Sequence, residues 1–447
     1  MALIQACLNF ICHVREGMVE IAYSSRRFQE TLERFCQAAS ASSAIVDSVS
    51  KILTDVRSKG NRGVAETLRR IDSIRLKPSQ FPIPLDELGA ARRRLPKNEL
   101  RAIREAVASV TEFHRHALPH AWKAKNAHGA TIGERFYLID RVGLYIPTSL
   151  ASTVVMTAAL ARLAKVPEIV AFTPCDSKGQ VTDAVLAAMS LCGVTEAYRI
   201  GGVAAIGSMA YGTESIRAVS KIFGPGNAYT VEAKRQVFGA VGVDLLPGPS
   251  EVLVVADETA NPKFVAADLL AQAEHGSGRE KIYLVSLGKV VAKRIRNEMG
   301  EQIKSLSRKA VIRDTLKQGF LSVIVSSYEE AAAVANYVAP EHLELEVAGS
   351  ELNGLTRSIK TAGAIMQGEW SATALGDFVA GPSHELPTGR AGRYFSGLQV
   401  RDFFRRSSVI RYSKSSLKKA APTALAFAGM EQLDGHGRSV SVRLEDE

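Results

Sequence analysis

The sequence predicts an α/β protein made of two similar parallel-sheet layers, with a helical region ahead of them and a small helix and strand tail behind. Three observations point there. Residues 27 to 130 carry apolar side chains near helical spacing, as in "SAIVDSVSKILTDVRSKG", where Gly60 supplies a stop. From residue 141 onward, short β-rich runs alternate with helical stretches, the rhythm of strands joined by helical crossovers. The order strand, apolar helix, strand in 142–174 returns in 251–287, an internal echo that makes two like domains.

Beyond the helical region come the runs "RVGLYIP", "EIVAFTP", "AYRIGG", "AVSKIF", "EVLVVAD", "KIYLVSL", "LSVIVSS" and "AGAIMQG", each short, apolar and rich in β-branched or aromatic residues. Between them "STVVMTAALARLAKV" and "KFVAADLLAQAEH" read as crossover helices, so both layers are Rossmann-like. The tail reads as a helix, "APTALAFAGMEQL", then a strand, "RSVSVRL", in which Val440, Val442 and Leu444 alternate.

Composition narrows the function classes. The chain has 447 residues, 46% of them hydrophobic, and a formal net charge of +10, which describes a globular protein rather than a disordered one. The basic runs "ARRRLPK", "FFRRSSVIRYSK" and "SLKKA" never exceed three consecutive basic residues and belong to no nucleic-acid module, so they read as a solvated face or as attraction for an anionic cofactor. No window resembles a membrane span and the N-terminal stretch lacks an export signal. Cys7, Cys12, Cys36, Cys175 and Cys192 are scattered, odd in number and form no CxxC pair, which fits a reducing cytoplasm and indicates neither a disulfide framework nor a thiolate zinc site.

Ligands of such sheets bind at the carboxyl ends of strands, so the residues just past each run carry the most information. "GPGNAYTVEAKRQV" comes after "AVSKIF"; it reads either as a plain turn or as a receptor for a pyrophosphate or ribose at a helix N-terminus. In "LLAQAEHGSG", Gln272 and His275 stand three apart at a helix end and share a face. "ALGDFVAGPSHELPTG" places Asp377 and His384 in one loop, and "MEQLDGHGRSVSVRLE" places Glu431 and His436 ahead of the tail strand. "YVAPEHLELEV" sets Glu341 beside His342 at the mouth of a strand, which in isolation reads as a solvated loop. Nitrogen and oxygen groups without cysteine suit a zinc site with a position open for substrate.

These blocks in this order, together with "FGPGNAYTVEAKRQV", "LLPGPSEVLVVAD" and "GAIMQGEWSATALGDFVAGPSHELPTG", closely resemble histidinol dehydrogenase from about residue 40 to the end. The resemblance implies a zinc-containing, NAD-dependent cytoplasmic homodimer, with one zinc ion per subunit, that oxidises L-histidinol through L-histidinaldehyde to L-histidine. It implies Gln272, His275, Asp377 and His436 as zinc ligands, and Ser250, His342, His384 and Glu431, beside the zinc set, as substrate contacts. Glu341 and His342 match the catalytic pair, and Tyr145 and Asn227 match NAD positions. His342 is then the base of alcohol oxidation and Glu341 the group that activates water for the aldehyde step. The tail is expected to reach the partner subunit and complete shared active sites.

The expected division is an N-terminal extension and helical arm (1–39), a discontinuous α/β domain with the zinc and catalytic residues (40–140 and 250–398), a Rossmann-like NAD-side domain (141–249) and a C-terminal dimerisation tail (399–447). Two departures from the family stand out. The loop "GLYIPTSLASTVV" is shorter and lacks paired glycines, and Ala204 stands where the family has a glutamine that contacts NAD. They keep open a relative acting on another small polar alcohol, similar to sulfopropanediol dehydrogenase.

Overall fold

The computed structural model describes residues 18–37 and 42–445; part of the expected N-terminal arm, with Cys7 and Cys12, lies outside the described residues. Two six-stranded sheets organise the chain, and all eight of the β-rich runs contribute strands to them. The first sheet has the spatial order Val19–Ala22, Phe320–Val325, Lys281–Leu287, Glu251–Ala256, His342–Glu346 and Ala364–Gln367, every neighbouring pair parallel. The second has the order Pro82–Ile83, Glu196–Tyr198, Glu168–Phe172, Arg141–Tyr145, Lys221–Phe223 and Gly242–Val243, parallel except at the Pro82–Ile83 edge. Strands buried on both faces need continuous apolar runs rather than alternation, which is why "EVLVVA" is buried throughout.

Helices cover both faces of each sheet. On the first, Pro262–Ala273, Lys289–Gln302 and Lys309–Gly319 bury Val265, Leu269, Ile295 and Ile312 on one side, while Phe28–Cys36 and Tyr328–Val338 bury Leu32 and Ala335 on the other. On the second, Lys97–Arg115, Ala151–Ala164 and Asp183–Cys192 lie on one side and Ser43–Lys59, Gly202–Tyr211 and Ala228–Val237 on the other.

The packing redraws the expected division. Residues 43–115 do not join 250–398: Val49, Ile52, Leu53 and Val56 pack with Ile206 and Met209, and Val110 packs with Val142 and Leu144, all on the second sheet. Conversely, Val19–Ala22 and Phe28–Cys36 belong to the first sheet. An amphipathic helix states which face it buries but not against which sheet. Residues 122–138, read as the edge of the helical region, form strands Trp122–Lys125 and Thr131–Leu138, which pair antiparallel with each other and, through the latter, with Phe404–Arg411.

The tail also differs. Its strand is Phe404–Arg411, and the expected strand at 440–444 is instead the end of helix Asp434–Ser441 and a tight turn over Val442–Leu444. Three alternating residues without a sheet edge beside them have no ladder to join. No helix among the described residues is long and apolar enough to cross a membrane, and Cys36, Cys175 and Cys192 are buried free thiols.

Candidate active site

The site grows from the amino ends of two neighbouring inner strands of the first sheet, contrary to the expectation that such sites lie past strand carboxyl ends. Helix Tyr328–Val338 stops at Ala339, which is left-handed at φ 48, and Pro340 bars its continuation. The chain then enters His342–Glu346 with Glu341 and His342 at its mouth. Next to it, strand Glu251–Ala256 begins just after Ser250. Its crossover helix Pro262–Ala273 runs back, so Gln272 and His275 return to the same end.

Glu341 and His342 are 6% and 5% exposed, so they do not form a solvated loop. One residue holds both. The Glu341 carboxylate accepts the Glu251 backbone N–H at 2.9 Å, and His342 Nδ1 lies 3.3 Å from the Glu251 carbonyl oxygen. The Ser250 hydroxyl also bonds the Glu341 carboxyl. Burial, then the nearby Glu251 and Asp377 charges, push that carboxyl well above its usual range. Burial pushes the His342 imidazole down to about 3, so it is neutral.

The histidines share a pattern. His275 Nδ1 lies 3.2 Å from the Gln272 carbonyl, and His384 Nδ1 lies 3.1 Å from the Asp377 carbonyl. A carbonyl oxygen only accepts, so each Nδ1 carries the hydrogen and each Nε2 presents a lone pair. His342 Nε2 lies 3.6 Å from Asp377 Oδ1. His275 is close enough to influence the charges of Asp377, His342 and His384. A cavity of about 480 Å³ opens on His342 and His384, with Phe113, Leu375 and Leu386 in its apolar wall.

Gln272 tests whether these residues fit a metal. It is 3% exposed, and neither Oε1 nor Nε2 has a hydrogen-bond partner. An amide left unpaired in the interior costs free energy, and a cation bound to Oε1 offsets that cost. His275, with Nδ1 committed to a carbonyl and Nε2 free, has the form that metal-bound histidines take. Among the described residues no three His, Cys, Asp or Glu side chains form a group able to hold a metal. His436, expected in the set, is exposed on helix Asp434–Ser441, and Glu431 is exposed just ahead of it; neither side chain bonds to the residues at the strand ends. Lys414–Met430 and Asp434–Ser441 pack chiefly on one another and leave Phe427 and Met430 55% and 68% exposed.

The second sheet carries the expected cofactor residues past its strand carboxyl ends. Tyr145 ends strand Arg141–Tyr145, and its hydroxyl accepts the Gly202 N–H at 3.2 Å. Gly224 comes directly after the neighbouring strand with φ 109, and a Cβ there would run into the Tyr145 carbonyl. Asn227 caps helix Ala228–Val237, accepting the Tyr229 and Thr230 N–H groups at 3.0 and 3.1 Å. A cavity of about 510 Å³ runs from Gly226 and Asn227 to Ser277 and Arg279, just beyond His275. Ala204 is 1% exposed inside helix Gly202–Tyr211.

Some contributors carry no signal in the sequence. Glu251 works through backbone atoms, which any residue has. Lys234 and Asp244 form a fully buried ion pair at 2.5 Å, with Lys234 Nζ donating to the Gly224 carbonyl and the Gly224 N–H donating to Asp244, both at 2.8 Å. Together they hold the turn ahead of Asn227.

Comparison with known proteins shows the family. The histidinol dehydrogenase family model matches residues 36–444. A histidinol dehydrogenase of Gluconobacter oxydans is 40% identical over 405 residues, covering 90% of this chain and 93% of that one. That of a Synechococcus strain is 39% identical over 431 residues, covering 95% and 99%. The crystal structure of histidinol dehydrogenase from Elizabethkingia anophelis superposes with a TM-score of 0.90 at 30% identity, covering 97% of this chain and 99% of that one.

Proposed function

The chain belongs to the histidinol dehydrogenase family and is an oxidoreductase acting on histidinol, in the last step of histidine biosynthesis; from that premise we propose that it oxidises L-histidinol through L-histidinaldehyde to L-histidine with NAD, at the Glu341 and His342 site. The observation that carries the assignment is the pair's shared anchor on Glu251, which holds a neutral imidazole and a raised carboxyl side by side at the strand mouth. His342 Nε2 takes the hydroxyl proton as hydride leaves. Glu341, its carboxyl raised by burial, takes a proton from the water that attacks the aldehyde.

Gln272, His275 and Asp377, with the partner subunit's His436, would hold zinc, and Ser250 and His384, with the partner subunit's Glu431, would line the substrate. Zinc, when bound, would supply a Lewis acid for orienting the substrate. NAD would be held beside Asn227, along the cavity between Gly226 and Arg279, with Tyr145 behind it at the end of its strand. The partner subunit enters because Glu431 and His436 stand on a helical pair whose apolar face is exposed, and an isologous dimer would bring each pair to the other's strand ends. The buried free thiols support a cytoplasmic setting. The alternative of another small polar alcohol is not favoured, since the relatives in Gluconobacter, Synechococcus and Elizabethkingia are all histidinol dehydrogenases.

The test is substrate profiling of the zinc-loaded protein with NAD. Histidinol should give NADH at both oxidations, twice the histidine formed, and dihydroxypropanesulfonate none. Preference for the sulfonate would contradict the reading.

A further inference from the structure

Strand His342–Glu346 turns a buried row of titratable side chains towards the helix that carries Gln272. His342, Glu344 and Glu346 pair in register with Val252, Val254 and Ala256, whose side chains pack on helix Pro262–Ala273. Leu343 and Leu345 fill the opposite core. An apolar residue would suit position 344, because an ionisable group in a core is costly unless something compensates it.

Glu344 is 1% exposed. Its Oε1 accepts both the N–H and the hydroxyl of Thr373, at 2.7 and 2.5 Å, and Thr373 is the first residue of helix Thr373–Phe378. Its Oε2 is buried with no hydrogen-bond partner. The Asp268 carboxyl, on helix Pro262–Ala273, interacts directly with Glu344. Burial and then the Asp268 charge push the Glu344 carboxyl up.

The spacing gives this arrangement its meaning. Thr373 lies four residues before Asp377 and Asp268 four residues before Gln272, one helical turn in each case. Glu344 therefore bridges the two turns that present two of the metal-site residues, which come from segments more than a hundred positions apart in the chain.

We propose that Glu344 is a positioning residue of the metal site, holding the Gln272 and Asp377 segments at the separation that zinc requires. It rests on the reading that those two residues hold zinc. Supporting groups of this kind change metal affinity by roughly 10- to 100-fold.

The experiment measures zinc affinity by competition with a chromophoric chelator, on full-length protein whose fold is checked by thermal melting. Glu344→Leu removes the acceptor and should weaken zinc by that factor. Thr373→Val removes only the hydroxyl and should weaken it less. Glu344→Gln keeps Oε1 as an acceptor and should restore wild-type affinity. Wild-type affinity in Glu344→Leu, while Gln272→Ala and Asp377→Ala lose zinc, overturns the positioning role and leaves the metal site standing. Zinc retained by Gln272→Ala and Asp377→Ala as well overturns both. If Glu344→Leu does not fold, Thr373→Val decides, and wild-type affinity there overturns the proposal.

Discussion

The Glu341 carboxylate accepts the backbone N–H of Glu251 at 2.9 Å. Because the donor belongs to the backbone of a central strand, the carboxylate is held by the sheet itself and not by a mobile side chain. Glu341→Gln keeps an acceptor for that N–H and removes only the base. It should slow aldehyde oxidation by about a hundredfold or more and the alcohol step far less. Single-turnover assays started from histidinol and from histidinaldehyde separate the two, and equal losses would contradict the division of roles.

Removing a metal ligand should uncouple binding from folding. His275→Ala or Asp377→Ala is expected to abolish stoichiometric zinc and histidinol binding while the melting curve of the metal-free protein stays unchanged, since neither side chain fills a core cluster. Metal analysis and calorimetric histidinol titration check this. A variant with full zinc and full activity would show the site is misplaced.

The buried Lys234 and Asp244 pair should be expensive to break on one side. Lys234→Met strands a buried carboxylate and should destabilise by about 3–5 kcal/mol; it should also raise the KM for NAD, because the Gly224 turn loses its Nζ contact. Adding Asp244→Leu should recover part of the stability but not the KM. Urea titrations and NAD saturation curves of both variants provide the check.

His114 offers an acid-sensitive point away from the chemistry. It is buried with both ring nitrogens unpartnered, and burial pushes its imidazole from 6.5 down to about 4. Between those values the unfolded chain binds a proton that the native protein refuses, so this stability is complete above pH 6.5 and is lost as pH falls towards 4. The loss amounts to about 3 kcal/mol. His114→Leu should flatten the pH dependence of the urea midpoint across that window; an unchanged slope would contradict the argument.

Much of this was legible in the chain. Strands such as Glu251–Ala256 and Lys281–Leu287 announce themselves because burial on both faces demands unbroken apolar runs. Gln272 and His275 could be paired because helical spacing puts them on one face. Trp122–Lys125 and Thr131–Leu138 were hidden, since a sheet largely open to solvent has no clean alternation. The helices of 43–115 hid their sheet because their apolar stripes fit either one. Glu251 and Glu344 were invisible as site residues: one acts through its backbone, and the other matters only once Asp268 and Thr373 are brought together in space.

If each site joins the strand ends of one subunit to the tail of another, two differently inactivated chains must complement each other. Inactive His342→Ala chains and inactive His436→Ala chains are unfolded together, refolded with zinc, and assayed for histidinol oxidation. In a mixed dimer with shared sites, one pocket collects both substitutions and the other neither, so activity returns at one of the two pockets. If mixed dimers form and no activity returns, the tail serves its own subunit and the account is wrong.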